Sequence, residues 1–381
     1  METPIYLDHA STTPLDKQVL EKMTPYLTDI FGNADSPHAI GRSAMNAVDT
    51  ARDKVAQLIN ARQNEVYFTS GGTESDNWAM FGGARAKRAE GKRKVVVSAI
   101  EHHAVLSSAE RLQKEGFEVV YLPVNEGGRV ALSALESAIT PDTALVCLMW
   151  ANNETGVLQP IDEACEIAHK NGALFFTDAV QSAPYIPLDM QKCKADILSF
   201  SAHKFYGPKG VGALYIKNGV KIEKLVGGGE QERGLRGGTV NVPAVVGLAE
   251  AYAIARAQMQ ENNEKIKKLA NLYLREISIL QGVTRNGDTQ NALPSVLNLR
   301  FDGVENTAFL YKMDLNGVCL SAGSACASAS VKPSHVLTAM GLSEREAKQS
   351  VRLSFGKNNT EDEIIRAGRL TVKTINELRG F

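Results

Sequence analysis

The chain has 381 residues, with 42 basic and 43 acidic side chains and a formal net charge of −1, which argues against nucleic acid or an anionic membrane as its main ligand. No apolar stretch approaches the roughly 18 residues of a membrane-spanning helix. The N-terminal segment carries Glu2 and Asp8 and lacks a hydrophobic signal core, so we expect a cytoplasmic protein. The length predicts two domains or one large α/β unit with an appendage.

Short apolar runs alternate with amphipathic stretches over the first part of the chain. Helical patterns lie between several runs, for example at 161–170. This alternation predicts a mostly parallel sheet covered by helices. Seven runs are predicted strands, at 66–69, 94–98, 117–122, 144–149, 173–177, 196–200 and 212–216.

The sequence changes character near residue 240. The segment 242–280 is apolar-periodic and rich in Ala, Glu and Lys, which predicts one or two long helices. The segments 295–300 and 351–355 are predicted strands of a smaller α+β unit, and 361–378 is a predicted final amphipathic helix.

The five cysteines have no regular spacing, and their odd number without C-x-x-C pairs argues against a disulfide framework or a zinc knuckle. No carboxylate–histidine spacing indicates a metal site either. Four of the five, Cys147, Cys165, Cys193 and Cys319, belong to no candidate site.

Lys204 stands out because of its surroundings. It lies in Ser-Ala-His-Lys-Phe-Tyr-Gly-Pro-Lys-Gly (201–210), directly after the predicted strand 196–200. Desolvation lowers the pKa of a lysine, and the free amine can form an imine with an aldehyde. Most lysines are solvated surface charges, so the neighbouring segments decide the interpretation.

Asp178 follows the predicted strand 173–177, at the edge where open α/β sheets bind ligands. Its carboxylate could keep a pyridinium nitrogen protonated, and Gln181 could reach a ring substituent. A helix N-cap is the alternative role for Asp178. An acidic residue upstream of an imine-forming lysine, each at a strand end, resembles a pyridoxal phosphate (PLP) site, in which the cofactor supplies the electron sink.

Cys326 lies within Ser-Ala-Gly-Ser-Ala-Cys-Ala-Ser-Ala-Ser (321–330), a stretch of small residues without an apolar period. This composition predicts a mobile loop with an exposed thiol. Such a thiol could visit a cofactor site and leave it again, as sulfur transfer requires. A small residue in a turn is the alternative interpretation.

Further candidate groups follow other predicted strands. The glycines of Thr-Ser-Gly-Gly-Thr-Glu-Ser-Asp (69–76) open a helix, and its N–H groups suit a phosphate, to which Ser201 and His203 could add donors. His102 could stack on a planar cofactor and exchange protons, or it could be an ordinary surface histidine. Arg352 lies inside an apolar strand. Its guanidinium could bind a substrate carboxylate, or it could equally form a buried structural salt bridge with an acidic side chain.

Taken together, these segments resemble the cysteine desulfurases of the class V aminotransferases, in the NifS/IscS-like group I. The resemblance runs nearly from end to end and depends on the order and spacing of many motifs. The matching motifs are Tyr-Leu-Asp-His-Ala-Ser-Thr-Thr-Pro (6–14), Phe-Gly-Asn (31–33), 69–77, Glu-His-His-Ala-Val (101–105), Asn-Asn-Glu-Thr-Gly (152–156), Thr-Asp-Ala-Val-Gln (177–181), 201–210, Arg-Gly-Gly-Thr (236–239) and Gly-Ser-Ala-Cys (323–326).

The resemblance implies a fold-type I PLP-dependent transferase, with a mostly parallel seven-stranded sheet domain and a smaller α+β domain. The large domain is expected at 15–255. The small domain is expected to combine 1–14 with 256–381 and to carry the cysteine loop at about 321–332.

The resemblance also implies a role for each site residue. Lys204 binds PLP covalently, Cys326 attacks the substrate sulfur, and His102 stacks on the ring and takes part in proton transfer. Asp178 contacts the pyridine nitrogen, and Gln181 contacts the ring hydroxyl. The phosphate is held by Gly72, Thr73, Ser201 and His203, together with Thr239 from the second subunit of a homodimer. Asn153 and Arg352 bind the amino acid.

The implied reaction converts L-cysteine to L-alanine and leaves a persulfide on Cys326. The sulfur passes to an acceptor protein, such as an iron–sulfur scaffold or a tRNA thiolation enzyme, and Cys326 could contact an iron–sulfur cluster. No resident metal, direct nucleic acid contact or membrane is expected. A selenocysteine lyase or aminotransferase of the same fold, and a non-catalytic scaffold, are the alternatives.

Three departures from the family pattern stand out. Glu230 occupies a position where glycine usually continues the turn, and Ser11 stands where alanine is usual. The sequence ends soon after Leu378, whereas many relatives carry a longer tail that helps to dock a scaffold protein. The motifs therefore predict sulfur transfer without identifying its acceptor.

Overall fold

The computed structural model describes residues 4–323 and 333–380. Its strands are β1 (Ile5–Tyr6), β2 (Val66–Thr69), β3 (Lys94–Ser98), β4 (Glu118–Leu122), β5 (Thr143–Cys147), β6 (Leu174–Asp178), β7 (Ile197–Ser201), β8 (Gly212–Ile216), β9 (Val283–Arg285), β10 (Val296–Phe301), β11 (Val318–Cys319) and β12 (Ser350–Ser354). Its α-helices are α1 (Lys17–Thr28), α2 (Ala39–Leu58), α3 (Gly72–Arg88), α4 (His103–Lys114), α5 (Leu132–Ala138), α6 (Ile161–Lys170), α7 (Val242–Ala257), α8 (Met259–Glu276), α9 (Asn306–Leu315), α10 (His335–Ala339), α11 (Glu344–Ala347) and α12 (Glu361–Arg379).

A seven-stranded sheet in the order β2-β8-β7-β6-β5-β3-β4 forms the centre of the larger part of the molecule. Neighbouring strands are parallel except at β8, which runs antiparallel to both β7 and β2. The seven predicted strands and the mostly parallel sheet are therefore confirmed.

Side-chain alternation explains why this sheet is covered on both faces. In β6, Phe175 packs into the apolar cluster on one face, and Phe176 packs into the cluster on the other. Successive side chains of a strand point to opposite faces, so a continuous apolar run fits a sheet that is buried on both sides. The equivalent run in β7 places Leu198 and Ile197 in the same two clusters.

A second apolar core lies around the small antiparallel sheet β12-β10-β9. Both Ile5 and Leu7, near the start of the described chain, belong to this core. The pair β1–β11 is parallel and joins Ile5 to Val318, which anchors the N-terminal segment beside the small sheet. The predicted domain boundaries, 14/15 and 255/256, stay a prediction.

The segment 242–280 forms two helices rather than one. The first, α7, ends at Ala257, and its Leu248 packs against the large sheet. The second, α8, begins at Met259, and its Leu269 packs in the small core. In the part of the chain that the structure describes, no helix is long and apolar enough to cross a membrane.

Candidate active site

A cleft of about 460 Å³ opens at the carboxyl edge of the large sheet. The ends of β6 and β7 form part of its wall, and residues 10–12 of the N-terminal segment form another part. Ten of the predicted site residues line this one cleft: Gly72, Thr73, His102, Asn153, Asp178, Gln181, Ser201, His203, Lys204 and Arg352.

The other two predicted site residues, Thr239 and Cys326, are not among the described residues that line this cleft. Thr239 is exposed and is absent from the lining, as expected if its phosphate contact is made in a second subunit. Cys326, residues 324–332 of its predicted loop and its possible contact with an iron–sulfur cluster lie outside the described residues, whereas Ser321, at the start of that loop, is buried and paired with Arg352.

Lys204 lies in the short turn Ala202–Lys204 directly after β7. Its Nζ donates to the carbonyl oxygens of Ala10 at 2.6 Å and Ser11 at 2.7 Å. The carbonyl of Ala10 also accepts from Nε2 of Gln181 at 3.0 Å. The N-terminal segment therefore directly contacts both the lysine and the glutamine that the sequence singled out.

Asp178 ends β6 and is buried. Its Oδ1 accepts from the backbone N–H of Val180 at 2.8 Å, which is a turn contact rather than a helix N-cap. Burial raises the pKa of Asp178 to about 6, although the Val180 N–H and the Lys204 charge oppose this shift. A cationic group in the cleft would favour the ionised carboxylate.

The turn before α3 forms a cradle that only glycine fits. Gly71 has a φ of 150°, and a Cβ on Gly72 would lie 2.9 Å from Cγ2 of Val180. The cap residue of α3, Gly71, makes no side-chain hydrogen bond, so the first N–H groups of the helix are left to the cleft. Backbone donors at the positive end of a helix suit a phosphate.

The hydroxyl of Ser201 and the ring of His203 complete this end of the cleft. Nδ1 of His203 lies 3.1 Å from Oγ1 of Thr12. Burial, together with the charges of Lys204 and Lys209, lowers the pKa of His203 to about 4, so the ring is neutral near pH 7.

His102 is the N-cap of α4, and its Nδ1 accepts from the backbone N–H of Ala104 at 3.2 Å. This bond requires an unprotonated Nδ1. Burial lowers the pKa of His102 to about 4, and the charges of Lys204, His103 and His335 add to the effect. The ring is therefore neutral at physiological pH and can accept a proton.

The low pKa of His102 predicts an acid-dependent loss of stability. Its pKa is about 4 in the folded protein against an ordinary 6.5, so its contribution is complete above pH 6.5 and is lost as the pH falls toward 4. In the cofactor-free protein, we expect the unfolding free energy of wild type, relative to His102→Gln, to fall by about 3 kcal/mol between pH 7 and 4. Denaturant titrations of both proteins at pH 7 and pH 4 measure this difference. Unfolding free energies that change by the same amount in the two proteins would contradict it.

Arg352 is almost fully buried in β12 and has three partners. Its Nη1 donates to the carbonyl of Asn153 at 2.9 Å, and its Nη2 donates to Oδ1 of Asp8 at 2.8 Å and to Oγ of Ser11 at 2.6 Å. The structure therefore contains the buried salt bridge that the sequence left open, and it also places this arginine in the cleft wall.

The sequence did not assign roles to three residues that the structure places at the site. Asp8 and Ser11 bind Arg352, so the departure from alanine at position 11 adds a hydrogen bond. Asp76 lines the cleft and accepts from Oγ of Ser199 at 2.6 Å. All three lie inside motifs already noted, but only the fold shows what they contact.

Glu230 precedes a turn with unusual backbone geometry. Glu232 and Arg233 both adopt positive φ values, 47° and 58°. The Glu232 carboxylate is buried against both terminal nitrogens of Arg52, at 2.6 and 2.8 Å. This ion pair holds the turn that precedes the exposed Thr239.

The cleft fits PLP, the cofactor that the resemblance implies. Its volume is in the range of small-molecule sites, roughly 300–1,000 Å³. At one end, the glycine cradle and the Ser201 hydroxyl provide phosphate donors. On the wall, Lys204 provides an amine, and Asp178 provides the carboxylate that a pyridinium nitrogen requires.

The chain is similar to known proteins in both sequence and fold. The curated protein "Cysteine desulfurase IscS" of Clostridium botulinum (strain Hall) is 46% identical over 367 residues, covering 96% of this chain and 92% of the relative. The solved structure "NIFS-LIKE PROTEIN" superposes with a TM-score of 0.92 at 37% identity and covers 100% of both chains.

A second solved structure, "SspA in complex with cysteine", has a TM-score of 0.81 at 37% identity and covers 93% of this chain and all of its own. The sequence profile of the family "Aminotransferase class-V" matches residues 5–366. This protein therefore belongs to the aminotransferase class-V family.

Proposed function

We propose that this protein is a PLP-dependent cysteine desulfurase, which converts L-cysteine to L-alanine and transfers the sulfur to an acceptor. Similarity to the desulfurase of C. botulinum over almost the whole chain supports this activity. The observation that carries it is the meeting of Lys204, Asp178 and Arg352 in one cleft. These residues offer an amine, a carboxylate and a guanidinium, the groups that an amino acid-processing PLP site needs.

The residues that line the cleft have separate roles in the proposed reaction. When bound, PLP supplies an electron sink for the bonds at the substrate Cα. Lys204 holds the cofactor and then moves the Cα proton. The Arg352 guanidinium binds the substrate carboxylate, with Asn153 beside it, and Asp178 keeps the pyridine nitrogen protonated.

The remaining tasks concern the ring, the phosphate and the sulfur. Gln181 contacts the ring hydroxyl, and the neutral ring of His102 stacks on the cofactor and accepts a proton. The phosphate contacts are Gly72, Thr73, Ser201 and His203. The Cys326 thiolate attacks the substrate sulfur, so an S–S bond forms as the substrate C–S bond breaks, and the carbon receives the electron pair and a proton to give L-alanine.

The assembly and the acceptor belong to the same proposal. A homodimer would bring Thr239 of one subunit to the phosphate site of the other. The acceptor is a protein of iron–sulfur cluster assembly or tRNA thiolation, and the reaction takes place in the cytoplasm. The exposed position of Thr239 supports the dimer.

A product assay on the PLP-loaded protein tests the activity. With L-cysteine, we expect L-alanine to form together with an equal amount of transferable sulfur, and Cys326→Ala should abolish the sulfur transfer. Amino-group transfer to an added keto acid would favour an aminotransferase. Selenide release that does not require Cys326 would favour a selenocysteine lyase.

A further inference from the structure

The chain on both sides of residues 324–332, the segment that contains Cys326, is fixed to the wall of the cleft. On the upstream side, the backbone N–H of Arg352 donates to the carbonyl of Ser321 at 2.6 Å, and the N–H of Ser321 donates back at 3.2 Å. Oγ of Ser321 also donates to the carbonyl of Gly323 at 2.8 Å. The upstream side is thus tied to the strand that carries the proposed carboxylate-binding arginine.

On the downstream side, Oγ of Ser334 donates to Oε2 of Glu154 at 2.5 Å. The next residue, His335, places Nε2 3.0 Å from the carbonyl oxygen of Glu101, and its ring lies 4.7 Å from the ring of His103. These contacts attach the downstream side to the loops that follow β3 and β5.

Glu154 contacts the chain on both sides of residues 324–332. Its side chain accepts from Ser334, and a Cβ built on Gly323 would lie 3.0 Å from its Oε2, so the carboxylate also packs directly against the upstream residue. Glu154 is only 1% exposed. It directly follows Asn153, whose carbonyl binds Arg352.

We propose that Glu154 is a positioning residue for the Cys326 thiol, because its buried carboxylate joins the two sides of the cysteine-bearing segment to the substrate wall. The inference rests on the proposed function. Holding residues 321–323 and 333–335 on the substrate wall fixes the two points from which Cys326 is tethered, and orientation of a reacting group accounts for a large part of many catalysed rates. Glu154 itself contacts neither substrate nor cofactor in this account.

A double-mutant cycle tests the Glu154–Ser334 contact. Ser334 is also the N-cap of α10, where its Oγ accepts from Leu337, so Ser334→Ala alone removes two bonds. The cycle with Glu154→Ala separates the shared contact from the cap. Glu163→Gln, on an exposed part of α6, serves as the matched control.

The main readout is single-turnover persulfide formation on Cys326 in the PLP-loaded enzyme. We expect each single variant to slow this step by about tenfold, and the double variant to be no more than about twofold slower than the worse single variant. Binding of L-alanine, followed by the cofactor absorbance, should stay within about twofold of wild type, because the substrate contacts are intact.

Hydrogen exchange of the cofactor-free protein provides a second readout. Exchange of the peptide 333–340 should be faster in Glu154→Ala and unchanged in Glu163→Gln. If Glu154→Ala does not fold, Gly323→Ala replaces it as the test variant. This substitution keeps the Glu154 carboxylate but places a methyl group against it, and persulfide formation should slow in the same way.

Two results would overturn the inference. One is persulfide formation within about twofold of wild type in the single variants, and the other is an equal loss of L-alanine binding, which would make Glu154 part of the substrate site. A wild-type enzyme that forms no persulfide would instead refute the proposed function, so the two failures are distinguishable.

Discussion

Lys204→Ala should reduce alanine formation from L-cysteine by at least about 10³-fold, because one side chain performs two tasks. It forms the covalent bond to the cofactor, and it moves the proton at the substrate Cα. The Nζ position at the end of β7, held 2.6 Å from the carbonyl of Ala10, points to a fixed amine rather than a solvated charge. Alanine quantification after incubation with PLP and L-cysteine measures the loss.

Borohydride reduction distinguishes this role from a general loss of structure. The wild-type protein should retain PLP on the peptide that contains Lys204, and Lys204→Ala should retain none. Lys209→Ala is the matched control, because this second lysine lines the same cleft and is exposed. A reduced adduct on a lysine other than Lys204 in the wild type would refute the assignment.

Asp178→Asn should lower kcat by about 10²–10⁴-fold while the cofactor remains bound, since it removes the negative charge that stabilises a pyridinium. Asparagine keeps an oxygen that can accept from the Val180 N–H, which is the contact seen at 2.8 Å. The substitution therefore changes the charge and leaves the turn in place. Steady-state kinetics together with the cofactor absorption spectrum measures both effects.

Asp53→Asn, an exposed aspartate on α2, controls for the loss of one negative charge. Its kcat should match wild type. If Asp178→Asn retained wild-type turnover, this carboxylate would have no part in tuning the cofactor.

The sequence predicted the large sheet well because its signals are local. Each of β5, β6 and β7 is a run of five buried residues, and polar side chains follow where the strands end. The positions of Lys204 and Asp178 followed from this pattern, since the carboxyl ends of parallel strands share one edge of the sheet.

Contacts between distant segments could not be predicted in the same way. The strands β1 and β11 have two residues each, and their pairing joins opposite ends of the chain. Asp8 meets Arg352 only because this pairing places the N-terminal segment beside the small sheet. The contact between Glu154 and Ser334 depends on the same long-range packing, and neither residue has a local signal for it.

We propose that sulfur from L-cysteine is transferred to the thiol at position 326. The described cysteines, Cys147, Cys165, Cys193 and Cys319, are poor competitors, because burial raises the pKa of each thiol and disfavours the reactive thiolate. The most direct test is peptide mass mapping of the PLP-loaded protein after a brief exposure to L-cysteine. We expect one additional sulfur atom on the peptide that contains Cys326, and alanine formation with the additional sulfur on any other cysteine would refute this role.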